Sequence, residues 1–204
     1  MKQRWEVVGL LALALAGCRA RVPAAGYAPG PELDGPRQRG GRIVLTREED
    51  PDFLDPALSY GNYTQPMNCA VFRSLLDYAH LPGAAGAVLH ADMVETMPEV
   101  REAGTLYCMK LRADAKFGAP LHRHVTAEDF RYSFRRLFRV NCPGVSFYRH
   151  IVGAEDLLAG RGGELPGVIA RGDSLYVRLT ASDPIFQFLL ATPVLAWLGA
   201  RFFR

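Results

Sequence analysis

The sequence predicts a mixed α/β domain, and three observations carry that expectation. The stretch "TLYCMKLR" (105–112) alternates, placing Tyr107, Met109 and Leu111 on one face, as a half-buried strand does. The stretch "PGVIARGDSLYVRLT" (166–180) reads as two strands about an Arg-Gly-Asp-Ser turn, with Leu175, Val177 and Leu179 on one face. Between them, Phe130, Phe134, Leu137 and Phe138 recur at helical spacing and make a single apolar stripe. The chain has 204 residues, 49% hydrophobic and 22% charged, with a formal net charge of +3. That balance suits a globular protein and is too small a positive excess to imply a nucleic-acid partner.

The elements follow in order. Lys2 and Arg4 form a basic start, blunted by Glu6, and an apolar run from Val7 to Ala16 follows, too short to span a bilayer. It closes on "LAGC" (15–18), which resembles the lipobox of bacterial lipoproteins; cleavage before Cys18 would leave that thiol to carry a diacylglycerol. Residues 1–17 are therefore read as a lipoprotein signal peptide. Residues 18–41, rich in Pro, Gly, Ala and Arg, are read as a flexible tether. Residues 42–204 are read as the folded part.

That part opens with "RIVLT" (42–46), β-branched and short, expected as a strand, and continues through an acidic, proline-bearing loop, "REEDPDFLDP" (47–56). From Asn62 to Tyr78, Met67, Val71, Phe72, Leu75 and Leu76 recur at helical spacing, so a helix is expected there. Near the C-terminus, Ile185 to Ala191 reads as a core helix. Cys69, Cys108 and Cys142 are odd in number, show no zinc spacing and sit among apolar neighbours; they are expected as small buried hydrophobes rather than as a disulfide.

One stretch looks chemical. "LHRHVTAEDFRYSFRR" (121–136) holds two histidines, an acidic pair and four arginines. Thr126 with Asp129 three places on resembles a capping box, and acids first, arginines last, suits the helix dipole. A metal site would need His122 and His124 joined by Asp129 or His150, and no third histidine follows at short spacing. There is no G-x-S-x-G, no recognisable nucleophilic cysteine, and "GRGG" (160–163) lacks the Lys-Ser/Thr of a phosphate loop. No catalytic residue, metal or cofactor is expected, and the chain is not read as an enzyme.

Taken in order, "DPDFLDPAL" (50–58), "VFRSLLDY" (71–78), "DMVETMPEV" (92–100), "GTLYCMKLRADAKF" (104–117), "VTAEDFRYSFRRL" (125–137), "IVGAEDLLAG" (151–160) and "GVIARGDSLYVRLT" (167–180) make a specific series. It resembles the extracytoplasmic solute-binding proteins of peptide-type ABC importers, the family-5 group of oligopeptide, dipeptide and nickel binders, from about Gly41 to Pro193. The resemblance implies a periplasmic-binding-protein-like fold with two lobes closing over a ligand. It implies capture of an oligopeptide or dipeptide for an ABC permease and its ATPase. The protein would be an envelope lipoprotein, facing the periplasm or the outer surface of the cytoplasmic membrane.

By the same resemblance, Ser59, Tyr60, Gly61 and Asn62 face the cleft, Gly61 letting backbone approach the ligand, and so does the stretch Ser146, Phe147 and Tyr148. Tyr60 and Tyr148 are read equally as contacts or as packing. The "TAEDF" helix is scaffold in that family. This chain departs from it in lacking an Asp-Gly turn before that helix, where His122 and His124 stand in an expected surface loop. The acids Glu48, Glu49 and Asp50 could meet a cationic ligand or be solvated surface. Family members are more than twice as long, so the chain is expected to be the N-terminal part of such a protein, truncated. The charges that fix ligand termini are expected beyond it, and the chain alone is expected to bind peptide weakly or not at all. Two alternatives are a structural or adaptor lipoprotein without ligand, and a metal-dependent envelope hydrolase using His122 and His124.

Overall fold

A computed structural model describes residues 42, 44, 46–79, 81–118 and 120–193. The expected signal peptide (1–17), the whole of the expected tether (18–41) and Cys18 lie outside these residues, as does the end of the chain from Val194.

The main sheet has four antiparallel strands: β3 (Glu99–Arg101), β4 (Leu106–Lys110), β5 (Val168–Arg171) and β6 (Ser174–Arg178), in the order β3-β4-β6-β5. The last two form the hairpin expected from the sequence, with Arg171 opposite Ser174 across a two-residue turn. Gly172 occupies that turn at φ +58°, which a residue without Cβ adopts without strain. The β4–β6 register sets Tyr107 opposite Val177 and Met109 opposite Leu175, so the alternation read in both stretches falls on one buried face.

Helix α2 (Ala127–Arg139), introduced after the short helix α1 (Gln65–Val71), covers that face. Its start is the capping box predicted from sequence: Thr126 and Asp129 satisfy each other's backbone groups. Phe130, Phe134 and Leu137 are fully buried and Phe138 nearly so. Asp129 also takes both guanidinium nitrogens of Arg123, at 2.6 and 2.7 Å, and burial of this carboxylate is outweighed by that pair and the Thr126 bonds, which hold its pKa below the ordinary value. The acid that could have joined a metal set is thus occupied. His122 and His124 are exposed. Among the described residues no three of His, Cys, Asp and Glu converge.

Strands β1 (Leu76–Tyr78) and β2 (Leu89–Ala91) form a separate antiparallel pair. This corrects the expectation of one helix through 62–78. Helix α1 stops at Val71, and Leu75 and Leu76 reach the core from extended backbone, the Leu76 amide donating to the Leu190 carbonyl at 3.2 Å. Long-range pairing overrides a spacing that is locally helical. At the N-terminal side, Arg42, Val44 and Thr46 carry no strand assignment, and Val44 is 72% exposed. A strand forms where a neighbour takes its backbone groups and its apolar face is covered; these described residues have neither. Two short helices complete the fold, α3 (Ala154–Leu158) and α4 (Phe186–Leu189), the latter within the core segment expected at 185–191. Phe186 packs at 4.9 Å from the Tyr107 ring. All three described cysteines are free; Cys142 is buried as expected and Cys108 half-buried, but Cys69 is exposed, because α1 buries only Asn68.

Candidate functional site

The loop 52–64 is organised by one residue that sequence reading passed over. The Asp52 carboxylate accepts from Thr64 Oγ1 (2.5 Å), Ser59 Oγ (2.9 Å) and the amides of Tyr60 (2.8 Å) and Gly61 (2.9 Å). It also accepts from the Phe53 amide at 2.9 Å. These donors, the Thr64 hydroxyl and the Tyr60 amide first, hold Asp52 far below the usual carboxylate range. The result is a chain loop wrapped around a fixed negative charge, with Thr64 leading into α1.

Two of the residues expected at a ligand are spent on this hub. Ser59 is fully buried with its hydroxyl on Asp52. Gly61 gives its amide to Asp52, and a Cβ there would lie 3.3 Å from the Asp52 carboxylate carbon. The close approach that Gly61 permits is therefore to Asp52, not to open space. Both hold the loop's shape, and Tyr60 and Asn62 are what that shape presents outward.

A second anchor ties this loop to the sheet-covering helix. Arg136 on α2 binds the Asp55 carboxylate with both guanidinium nitrogens, the longer contact being 3.0 Å, where the pair is only 11% and 16% exposed. Asp55 also accepts the Ala57 amide at 3.0 Å, closing the Leu-Asp-Pro turn.

On the other side, Cys142 to Tyr148 turns back after α2 and ends in a short 3₁₀ helix, Val145–Tyr148. Tyr148 is buried, edge-on to Phe134 at 6.2 Å, with its hydroxyl 2.7 Å from Thr192 Oγ1 and 3.2 Å from the Leu189 carbonyl. Burial pushes its phenol well above the ordinary value, so it stays neutral. Phe147 points out, 48% exposed.

These two segments meet. A cavity of about 310 Å³ is walled by Tyr60, Asn62 and Gln65 on one side and by Gly144, Phe147 and Tyr148 on the other, with Leu189 and Thr192 closing it. Four of the seven residues expected from the family resemblance, Tyr60, Asn62, Phe147 and Tyr148, thus share one cavity, although the two pairs lie far apart in sequence. Tyr148 packs in the core, 1% exposed, and is also among the residues that line the cavity. Gly144 sits under both outer rings, since a Cβ built there would be 3.4 Å from Tyr60 and from Phe147. No wall residue carries a formal charge; amide and hydroxyl groups alternate with aromatic faces, a lining suited to neutral polar groups on an extended ligand. Gln65, Gly144, Leu189 and Thr192 were not identified from sequence. Glu48, Glu49 and Asp50 are exposed and line no part of it.

No protein-family model matches the sequence, and no curated protein does. Solved structures do match in fold. OppA of Listeria monocytogenes, bound to peptide, superposes with a TM-score of 0.65 at 21% identity, over 72% of this chain and 28% of that one. The substrate-binding domain of an oligopeptide ABC transporter from Bacillus anthracis gives 0.63 at 24% identity, over 72% and 27%. The murein tripeptide-binding protein MppA of Escherichia coli gives 0.63 at 24% identity, over 72% and 28%. The chain therefore carries part of the fold of these solute-binding proteins, in agreement with the resemblance read from its motifs. It spans a little over a quarter of their length.

Proposed function

We propose that this chain takes part in capturing peptides outside the cytoplasm for delivery to an ABC importer. The observation that carries the reading is the cavity joining Tyr60 and Asn62 to Gly144, Phe147 and Tyr148. Its uncharged lining matches a peptide main chain, whose amides and carbonyls are the same in every sequence, while its aromatic faces take apolar side chains without selecting one. The fold neighbours support it, since OppA and the Bacillus anthracis domain are described as peptide-bound and as the substrate-binding part of an oligopeptide transporter.

The finer parts of the reading rest on sequence. Cleavage before Cys18 and lipidation of its thiol would hold the domain at an envelope membrane through residues 18–41. An ABC permease with its ATPase would be the partner. A cavity this open, with Tyr60 56% exposed, gives weak affinity by itself, because tight sites cover most of the ligand; closure by a second lobe in a longer protein would supply the rest. A lipoprotein adaptor is the second reading, and it predicts no ligand at all.

The test is Gly144→Leu. Its backbone, at φ −100°, accepts any residue, and the new side chain would enter the cavity between Tyr60 and Phe147. Trialanine binding, followed by NMR titration, should weaken at least about tenfold, the scale of losing one filled subsite, with the thermal midpoint unchanged. Equal binding by both proteins would place the ligand elsewhere, and no binding by either would favour the adaptor.

A further inference from the structure

The chain leaves from the wall of the cavity between Tyr60 and Phe147. Thr192 lines that cavity, its hydroxyl 2.6 Å from the Leu189 carbonyl and 2.7 Å from the Tyr148 hydroxyl. Its carbonyl accepts the Ser74 hydroxyl at 3.1 Å, and Pro193 beside it is buried. The point of departure is therefore fixed at the cavity rim. The sequence that follows, "VLAWLGARFFR" (194–204), lies outside the described residues; it holds three aromatic residues, Trp197, Phe202 and Phe203, and no acidic one.

Reach, shape and charge all connect this segment to the cavity. Trp197, its first aromatic residue, stands four positions after Pro193, and four residues span at most about 13 Å, so the indole stays within reach of the wall. Tyr60 and Phe147, both about half exposed, flank Gly144, whose missing side chain leaves the space between the two rings to a third. Aromatic rings favour such offset and edge contacts over exposure to water. The charged side chains of the segment are Arg201 and Arg204, both positive. On the Asn62 side of the cavity, Glu48 accepts the Tyr63 hydroxyl at 3.2 Å, and Glu49 and Asp50 beside it are exposed. The cation next to them, Arg47, is engaged with the Tyr63 carbonyl at 2.7 Å.

We propose that this cavity is the docking site of the chain's own segment 194–204, with Trp197 seated between the Tyr60 and Phe147 rings and Arg201 and Arg204 directed to the acidic stretch 48–50. The inference goes beyond peptide capture, since its occupant comes from the chain itself. Joined to the wall through Pro193, the segment meets the cavity at an effective concentration on the order of millimolar. It competes there with any free peptide of comparable affinity, which must displace Trp197 to enter.

The test uses the full 204-residue chain. Nuclear Overhauser contacts from the Trp197 indole to the Tyr60 and Phe147 rings are expected in the wild type, and Gly144→Leu, which fills the space, should remove them. By NMR titration, Trp197→Ala should bind trialanine about fivefold more tightly than the wild type, the effect of removing a competitor present at millimolar effective concentration. Arg201→Gln combined with Arg204→Gln should tighten it about twofold, the scale of exposed ion pairs. Absence of the ring contacts in the wild type, or equal trialanine affinity in W197A and wild type, overturns the docking and leaves peptide capture standing. Ring contacts in a chain that binds no trialanine, with or without Trp197, support the docking and overturn peptide capture.

Discussion

Breaking the Arg136–Asp55 pair should cost stability and loosen the cavity wall together. The pair joins the middle of the fold, helix α2, to the loop that leads directly into Tyr60 and Asn62. Both side chains are largely buried, and two parallel hydrogen bonds connect them. Removing one partner of a fully buried pair costs about 3–5 kcal/mol, whereas an exposed pair contributes about 0.2–1. With side chains 11% and 16% exposed, solvent screens part of the attraction, and about 2 kcal/mol is expected for Asp55→Asn. Asparagine keeps an oxygen for the Ala57 amide, so the change isolates the charge. Urea unfolding of D55N, R136M and the double variant forms a cycle in which a coupling of about 1–2 kcal/mol is expected. Hydrogen exchange at the Tyr60 and Gly61 amides should quicken in either single variant. A coupling below about 0.5 kcal/mol, with exchange unchanged, would refute the claim that this pair fixes the wall.

Other perturbations separate the layers of the fold. Asp52 has its folded pKa held below the unfolded value of about 3.9, so its contribution is present above about pH 4 and is lost as pH falls through that value towards the folded one. The Tyr60 and Gly61 amides should accordingly lose protection in acid, and Asp52→Asn should remove that pH dependence; protection unchanged down to pH 2 would contradict it. Phe134→Ala empties a fully buried site beneath Tyr148 and should cost about 3–5 kcal/mol in denaturant unfolding, against less than about 1 for exposed Phe188→Ala. In native protein iodoacetamide should label exposed Cys69 and spare buried Cys142 until the chain unfolds, as peptide mass mapping will show; desolvation raises both thiols, so access separates them.

What could be read from sequence was what neighbouring residues decide among themselves. The α2 cap and stripe lie within thirteen positions, and the β5–β6 hairpin turns on two, so both stand in the structure as read. The end of α1 was not legible, because Leu76 is drawn into pairing with Ala91 and Leu190, and Leu75 is held by the Asp92 amide, residues that no local pattern connects to them. The cavity was half legible. The family resemblance supplied Tyr60, Asn62, Phe147 and Tyr148, while Gln65, Gly144, Leu189 and Thr192 enter only when the chain folds back on itself. Asp52 carried no distinguishing mark in a loop of five acids. Its signal was the run of small donors that follows it, Ser59, Gly61 and Thr64, which is intelligible only with a central acceptor in view.

The central claim is that Tyr60, Asn62, Gly144, Phe147 and Tyr148 form a peptide site. Its most direct test is a map of backbone amide shifts as trialanine is added to the isotope-labelled chain. The account predicts saturable shifts that, among the described residues, are confined to residues 60–65, 144–148 and 189–192, the three segments around the cavity. Shifts centred elsewhere, or a spectrum that trialanine leaves unchanged at millimolar concentration, would contradict it.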